Sequence, residues 1–137
     1  MSAVNGAAPT QQVYADALRE RMELERPTIA ALRSTLVGEM QRFGFDDLAE
    51  ALGERLVNPE LRKDSFDGSV SLFAEWRTPS GALLGYLLIH GGGQVYAEFD
   101  VLRPHPSRAQ WVIEAMTAWG QADNIKAEPR LLPALGD

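Results

Sequence analysis

The chain has 137 residues, of which 45% are hydrophobic, with a formal net charge of −6 and no cysteine. Without cysteine there can be no disulfide and no thiolate metal site, and the absence of a Lys/Arg cluster argues against nucleic acid or an anionic membrane as a partner. No apolar run reaches the roughly 18 residues that a membrane-spanning helix needs. We therefore expect a cytoplasmic protein without membrane contact.

The first ten residues are small and polar, with neither the basic nor the apolar segment of a signal peptide. They predict a disordered tail over residues 1–10, followed by a single domain over residues 11–137. Within that domain we expect a helical part over 11–60 and a part with the sheet and a last helix over 68–137.

Three helices are predicted in the helical part. The first covers 11–26, and the third covers 47–57 behind a capping box that Asp47 and Glu50 form. The second, 27–43, has the narrowest apolar stripe, within roughly 80° of arc; its members are Ile29, Leu32, Leu36, Met40 and Phe43. A helix-turn-helix interpretation fails on charge, because the third helix carries three acidic residues against one arginine.

A polar linker over 61–68 leads into the clearest pattern of the chain. Three segments, 69–77, 82–90 and 94–103, alternate in side-chain character with period 2 and are separated by a Pro-Ser-Gly turn and by three glycines. This pattern predicts a three-stranded antiparallel meander.

The two turns predict the register of the meander. One side, here called face A, carries no charge and is the predicted core face; its members are Val70, Leu72, Ala74, Trp76, Leu83, Gly85, Leu87, Ile89, Val95, Ala97, Phe99 and Val101. The other side, here called face B, is mixed and suggests partial cover by a helix, a second subunit or a ligand; its rows are Ser71–His90–Gln94, Phe73–Leu88–Tyr96, Glu75–Tyr86–Glu98 and Arg77–Leu84–Asp100.

A fourth helix is expected over 107–120, because its apolar residues spread over roughly 220° of a helical wheel. Such a wide surface suggests a contact with another subunit, and the interface candidates are Trp111, Ala115, Ala118 and Trp119. Pro129 and Pro133 restrict 125–135 to a short edge strand. The predicted fold class is thus α+β, in the order α-α-α-β-β-β-α-β.

The row Glu75–Tyr86–Glu98 is the one arrangement that resembles acid–base machinery, with its carboxylates about 10 Å apart at the backbone. Tyr96 and His90 complete the candidate ligand-binding residues. We assign no catalytic residue and no cofactor. We also predict no metal site, because the only histidines, His90 and His105, lack the spacing of a zinc pair.

Two functions follow from these observations. The first is a protein-interaction or chaperone-like module, whose expected partner is a second copy of the chain or another protein. Its βββ-α-β order is similar to that of small acidic bacterial secretion chaperones, which are dimers. The alternative is a small-molecule binder or hydrolase that uses Glu75, Tyr86, Glu98 and His90 on face B.

Overall fold

The computed structural model describes residues 7–52 and 56–134, with side chains from residue 10 onward, and these form three helices followed by one antiparallel sheet. The helices are α1 (Ala7–Leu24), α2 (Arg26–Arg42) and α3 (Asp46–Ala51). The strands are β1 (Leu56–Lys63), β2 (Val70–Arg77), β3 (Leu83–Ile89), β4 (Gln94–Pro104), β5 (Trp111–Gln121) and β6 (Asn124–Pro133). They lie in the sheet in chain order, β1 to β6, so each strand pairs with the next one along the chain.

The predicted helix over 107–120 is wrong, because this segment is strand β5. A bulge near Glu114 shifts the register, so that Ile113 and Met116, three residues apart, both lie in the core cluster. That irregularity hides the period of 2. The wide apolar arc reflects a strand with large side chains on both faces of a sheet, and Ala, Met and Glu are also good helix formers.

Strand β1 also replaces a predicted helix end and the linker. Helix α3 ends at Ala51, residues 53–55 lie outside the described residues, and the chain is extended from Leu56. The register of β1 shifts between Val57 and Glu60, and Asn58 adopts a φ of 53°. This bulge breaks the alternation that would have indicated a strand.

The final strand, β6, lies at the edge of the sheet as predicted, but it is a full ten residues long. Its two prolines do not interrupt it, because an edge strand has one side without ladder hydrogen bonds. The order α-α-α-β-β-β-α-β is therefore wrong, and the similarity to secretion chaperones that rested on this order does not hold.

The second predicted helix is confirmed as α2, which places a proline in its first turn. Helix α1 begins at Ala7, so residues 7–10 of the predicted tail are helical, while residues 1–6 lie outside the described residues. No helix among the described residues is long and apolar enough to cross a membrane.

Face A is the core face, as its lack of charge predicts. Most of its side chains on β2, β3 and β4 form one cluster with the stripe of α2, in which Leu32, Leu36 and Met40 are fully buried. The prediction is wrong for Val70 and Leu83, which begin β2 and β3 and are exposed. Residues of α1 and α3 join the same cluster. All three helices therefore lie on one side of the sheet, because burying the apolar faces of helices and sheet against each other removes the most apolar surface from water.

The predicted register of the meander is confirmed at its centre. The structure contains the rows Phe73–Leu88–Tyr96 and Glu75–Tyr86–Glu98. It departs from the prediction at Arg77, which pairs with Leu83 because the register shifts after Trp76. Face B thus continues across the sheet, with β1 added on one side and β5 and β6 on the other.

Gly85 allows the closest approach in the core. It lies between Trp76 and Phe99 in the register, and these two rings meet edge to face at 6.1 Å between centroids. A Cβ atom at this position would lie 2.2 Å from the carbonyl oxygen of Glu98 and 2.9 Å from the Cα of Phe99. Only glycine fits here without moving a neighbouring strand.

We predict that Gly85→Ala destabilises the protein by about 3 kcal/mol or more, because the added methyl group meets backbone atoms that cannot rotate away. Urea unfolding followed by circular dichroism measures the change. Gly38→Ala in α2 is the control: its Cβ would meet nothing within 4 Å, and we expect a gain of roughly 0.5–1 kcal/mol from helix propensity. Equal effects of the two substitutions would contradict the close approach at Gly85.

Candidate functional site

Face B carries a chain of aromatic side chains across its middle. Phe73 and Tyr86 stack at 5.7 Å between ring centroids, and Tyr86 lies 6.1 Å from Tyr96. Trp119 on β5 pairs with Tyr96 in the register and is 36% exposed. The guanidinium of Arg62 lies 3.6 Å above the Phe73 ring, a cation–π contact. The centre of face B is thus aromatic and only partly covered by its own neighbours.

Glu75 lies on one side of these aromatic rings, and two hydrogen-bond donors hold its carboxylate in place. Arg77 Nε donates to it at 2.8 Å and Asn58 Nδ2 at 2.9 Å. Its side chain is 17% exposed. The hydrogen bond from Arg77, followed by that from Asn58, lowers the pKa of Glu75 below its ordinary value. Glu75 is therefore ionised at neutral pH.

Glu98 lies on the other side of Tyr86 and is bound more extensively. Both terminal nitrogens of Arg130 contact its carboxylate, at 3.0 and 3.2 Å, and Tyr96 donates its hydroxyl at 2.9 Å. Arg130 Nε also binds Glu114 at 2.7 Å, so one guanidinium joins two carboxylates. The hydrogen bonds from Arg130 lower the pKa of Glu98, against the opposing effect of its burial.

Tyr96 is tied into the same network. Burial raises its pKa to about 12, and so does the hydrogen bond that it donates to the Glu98 carboxylate. Its phenol therefore stays protonated over the physiological range and acts as a hydrogen-bond donor. The pKa of Tyr86 is also raised, and burial is the largest cause.

This geometry does not provide an acid–base pair. Glu75 and Glu98 flank Tyr86 in the register as predicted, but each is ionised and bound to an arginine of its own. A general acid needs a carboxyl group whose pKa is raised toward neutrality. What the arrangement does supply is a fixed, charge-balanced frame around an aromatic surface.

His90 lies apart from that network, near the turn between β1 and β2. Its Nδ1 accepts the backbone N–H of Gly92 at 3.1 Å, so the proton of the neutral ring is on Nε2, which faces Ser69 Oγ at 3.1 Å. Ligand atoms of His90, Asp64 and Asp67 come within 4.8 Å of one another. In this tautomer Nε2 is a hydrogen-bond donor and offers no lone pair to a cation.

The four interface candidates divide between the two faces, because β5 is a strand. Ala118 lies on face A, and both Ala115 and Ala118 are fully buried within the chain. Trp111 begins the strand, beside Arg108, whose guanidinium lies 5.4 Å from its ring. Among the four, Trp119 is the one that lies on face B next to the predicted ligand-binding residues.

Arg130, the residue that joins Glu98 to Glu114, was not identified from the sequence. The pattern that would have revealed it is the alternation of Lys126, Glu128 and Arg130 along β6. Alternating charges of this kind indicate the polar side of a strand. The two prolines of the segment concealed it by suggesting that the strand was broken.

Comparison of the chain with known proteins finds no matching protein family, no matching curated protein and no matching solved structure. Its function must therefore be inferred from the site itself.

We predict that Arg130→Gln lowers the free energy of unfolding at pH 7 by about 1 kcal/mol. The effect is no larger because solvent screens the partly exposed guanidinium and weakens its ion pairs. The pKa of Glu98 is lowered in the folded state, so its contribution is complete above its ordinary pKa and is lost as the pH falls through the lowered one. The difference between wild type and R130Q should therefore shrink as the pH falls below about 4. Urea titrations at pH 7 and pH 3 measure this difference.

Arg19→Gln is the matched control, since Arg19 binds Asp16 on the exposed surface of α1 at 2.9 Å. We expect no measurable change in stability from it. A difference between wild type and R130Q that is the same at both pH values would contradict the assignment to Glu98.

Proposed function

We propose that the protein is a protein-interaction module that self-associates through face B. The observation that carries this proposal is a sheet whose helices all lie on one side, while the other side presents an aromatic centre inside a frame of ion pairs. Large aromatic side chains surrounded by polar residues are typical of protein interfaces. A partner that binds here must therefore offer apolar groups to the aromatic centre and charged or polar groups to the surrounding ion pairs.

The edges of the sheet are poorly suited to association. Strand β1 carries Pro59 and a bulge, and β6 carries Pro129 and Pro133. Proline has no N–H to donate to an added strand, and bulges turn an edge away from a neighbour. A partner that adds a strand is therefore disfavoured, and contact through the face is favoured.

One row of face B favours a second copy of the chain as the occupant. The register brings together six side chains, one from each strand, here called the aromatic row: Glu60–Phe73–Leu88–Tyr96–Trp119–Lys126. Its ends have opposite charges and its centre is aromatic or apolar. A row of this composition is complementary to its own reversed copy.

A twofold axis parallel to the strands, between β3 and β4, would use this property. It places β1 of one copy opposite β6 of the other, so that Glu60 faces Lys126 of the partner subunit. The same operation brings Phe73 opposite Trp119, and Leu88 opposite Tyr96. Each of these contacts then occurs twice, as an isologous interface requires.

Charge also selects the register between the two copies. A slip by one row in one direction would place Glu60 opposite Glu128 and Arg62 opposite Lys126. Like charges opposed at an interface weaken association and exclude wrong arrangements. The unslipped register avoids both conflicts.

The size of the face is adequate for a dimer. Six strands at a spacing of about 4.8 Å, and rows about 6.8 Å apart along each strand, give a patch roughly 25 Å on each side. That corresponds to on the order of 600 Å² per copy before side-chain relief is counted. A standard interface buries about 800 Å² per partner, which is comparable.

We predict that Glu60→Lys and Lys126→Glu each weaken dimerisation about tenfold or more, because each substitution opposes two like charges twice in the dimer. The double variant E60K/K126E restores opposite charges and should return the dissociation constant to within about threefold of wild type. Sedimentation velocity over a range of concentrations measures all four proteins. Glu20→Lys on the exposed surface of α1 is the control for net charge.

Three results would overturn the proposal of a face-B dimer. The first is a wild-type protein that stays monomeric at about 100 μM, and the second is a double variant as weak as the worse single one. The third is an equal effect of Glu20→Lys. If the wild type is monomeric yet captures an unfolded client protein through face B, the module is chaperone-like and the dimer proposal is wrong.

Trp119→Ser tests the aromatic part of the same surface. We expect it to weaken dimerisation by about tenfold or more, since tryptophan is among the side chains that contribute most to interfaces. The fold should be retained, because Trp119 is already 36% exposed. Leu24→Ser is the control: this apolar residue is 73% exposed on α1, on the helical side of the molecule, and its loss should leave the dissociation constant unchanged.

A further inference from the structure

A groove opens on the helical side of the molecule, away from face B, between α1, α2 and the start of β1. Its volume is about 470 Å³, and its apolar walls include Met22 of α1, Ile29 of α2 and Leu56 of β1. This volume lies within the range of small-molecule sites, which is roughly 300–1,000 Å³. The groove combines these apolar walls with a cationic side, although the protein as a whole is acidic.

Three arginines line the groove, and they differ in how they are bound. Arg19 binds Asp16, and Arg26 binds Glu23, an acidic residue that also lines the groove and whose charge this pair balances. Arg33 of α2 differs: its Nε is buried and has no hydrogen-bond acceptor within the described part of the chain. A guanidinium cannot lose its proton under physiological conditions, so this buried donor requires an acceptor.

A second buried donor without an acceptor belongs to the strand next to Leu56. Trp76 is fully buried, its Cα partner in the register is Leu56, and its Nε1 has no hydrogen-bond partner among the described residues. The buried side-chain atoms without partners, as far as the chain is described, are thus Arg33 Nε and Trp76 Nε1, both donors. Buried polar groups are normally satisfied, and of these two donors it is Arg33 that lines the groove.

From this chemistry we infer that the groove binds an amphipathic carboxylate: an alkyl chain along Met22, Ile29 and Leu56, with its carboxylate on Arg33. The carboxylate supplies the acceptor and the negative charge that Arg33 lacks. The alkyl chain removes the apolar walls from water, worth roughly 25 cal/mol for each Å². This site is independent of face B and of the dimer.

Isothermal titration calorimetry with decanoate tests the inference, with decanol and acetate as probes that have only the chain or only the carboxylate. We expect saturable binding of decanoate, with decanol and acetate each at least tenfold weaker. Arg33→Gln should weaken decanoate binding about tenfold or more, while Arg33→Lys, which keeps the charge, should recover part of the loss. Arg42→Gln, at an arginine of α2 that binds Glu39 and does not line the groove, should change binding less than twofold.

Equal binding of decanoate and decanol would overturn the inference, as would an R33Q variant that binds decanoate like the wild type. Absence of saturable decanoate binding at millimolar concentration would also overturn it and would leave ordered water as the acceptor for Arg33. The comparison of probes on the wild type decides the matter even if R33Q does not fold. Sedimentation of the same samples separates this result from the dimer, which these outcomes leave unaffected.

Discussion

The packing of α2 on face A is the interaction on which the rest of this structure depends. Its buried stripe meets the uncharged side of a sheet that spans six strands, and the fully buried side chains of both form one cluster. Once this side of the sheet is the core, period 2 assigns every other side chain of the strands to the opposite face. The burial of face A against the helices thus determines which side chains lie on face B.

Face B is stabilised by a different kind of contact. Two of its carboxylates are hydrogen-bonded: Glu75 is bound by Arg77 and Asn58, and Glu98 by Arg130 and Tyr96. Hydrogen-bonded ion pairs of this kind orient side chains more than they stabilise a fold, because the cost of desolvation offsets much of the attraction. They hold the aromatic centre of the face in one arrangement, which lowers the entropic cost of binding a partner there.

The meander could be predicted from the sequence because its strands keep a regular alternation and end in turns of recognisable composition. The pairs Glu75–Tyr86 and Tyr86–Glu98 followed from counting across two short loops. The other three strands could not be predicted in this way. In β1 and β5 a bulge interrupts the alternation, and in β6 the prolines resemble breaks.

The candidate site was affected by the same irregularities. Glu75, Tyr86, Tyr96 and Glu98 belong to the regular strands, and they were identified. Trp119 belongs to β5 and Arg130 to β6. Neither the position of Trp119 on face B nor the role of Arg130 was identified from the sequence. A bulge is specified by tertiary hydrogen bonds and leaves little trace in a hydropathy pattern, so these residues required the three-dimensional structure.

The order of the strands has a consequence for how the chain folds. Each strand pairs with the one before it, so the sheet can grow by local steps that cost little loop-closure entropy. Helix α2, in contrast, contacts β5 and β6 at the far end of the chain. During synthesis its apolar stripe has no complete surface to cover it until the last strands leave the ribosome. The burial of this stripe therefore depends on strands that are synthesised after it, and an incomplete chain leaves part of its apolar surface open to aggregation.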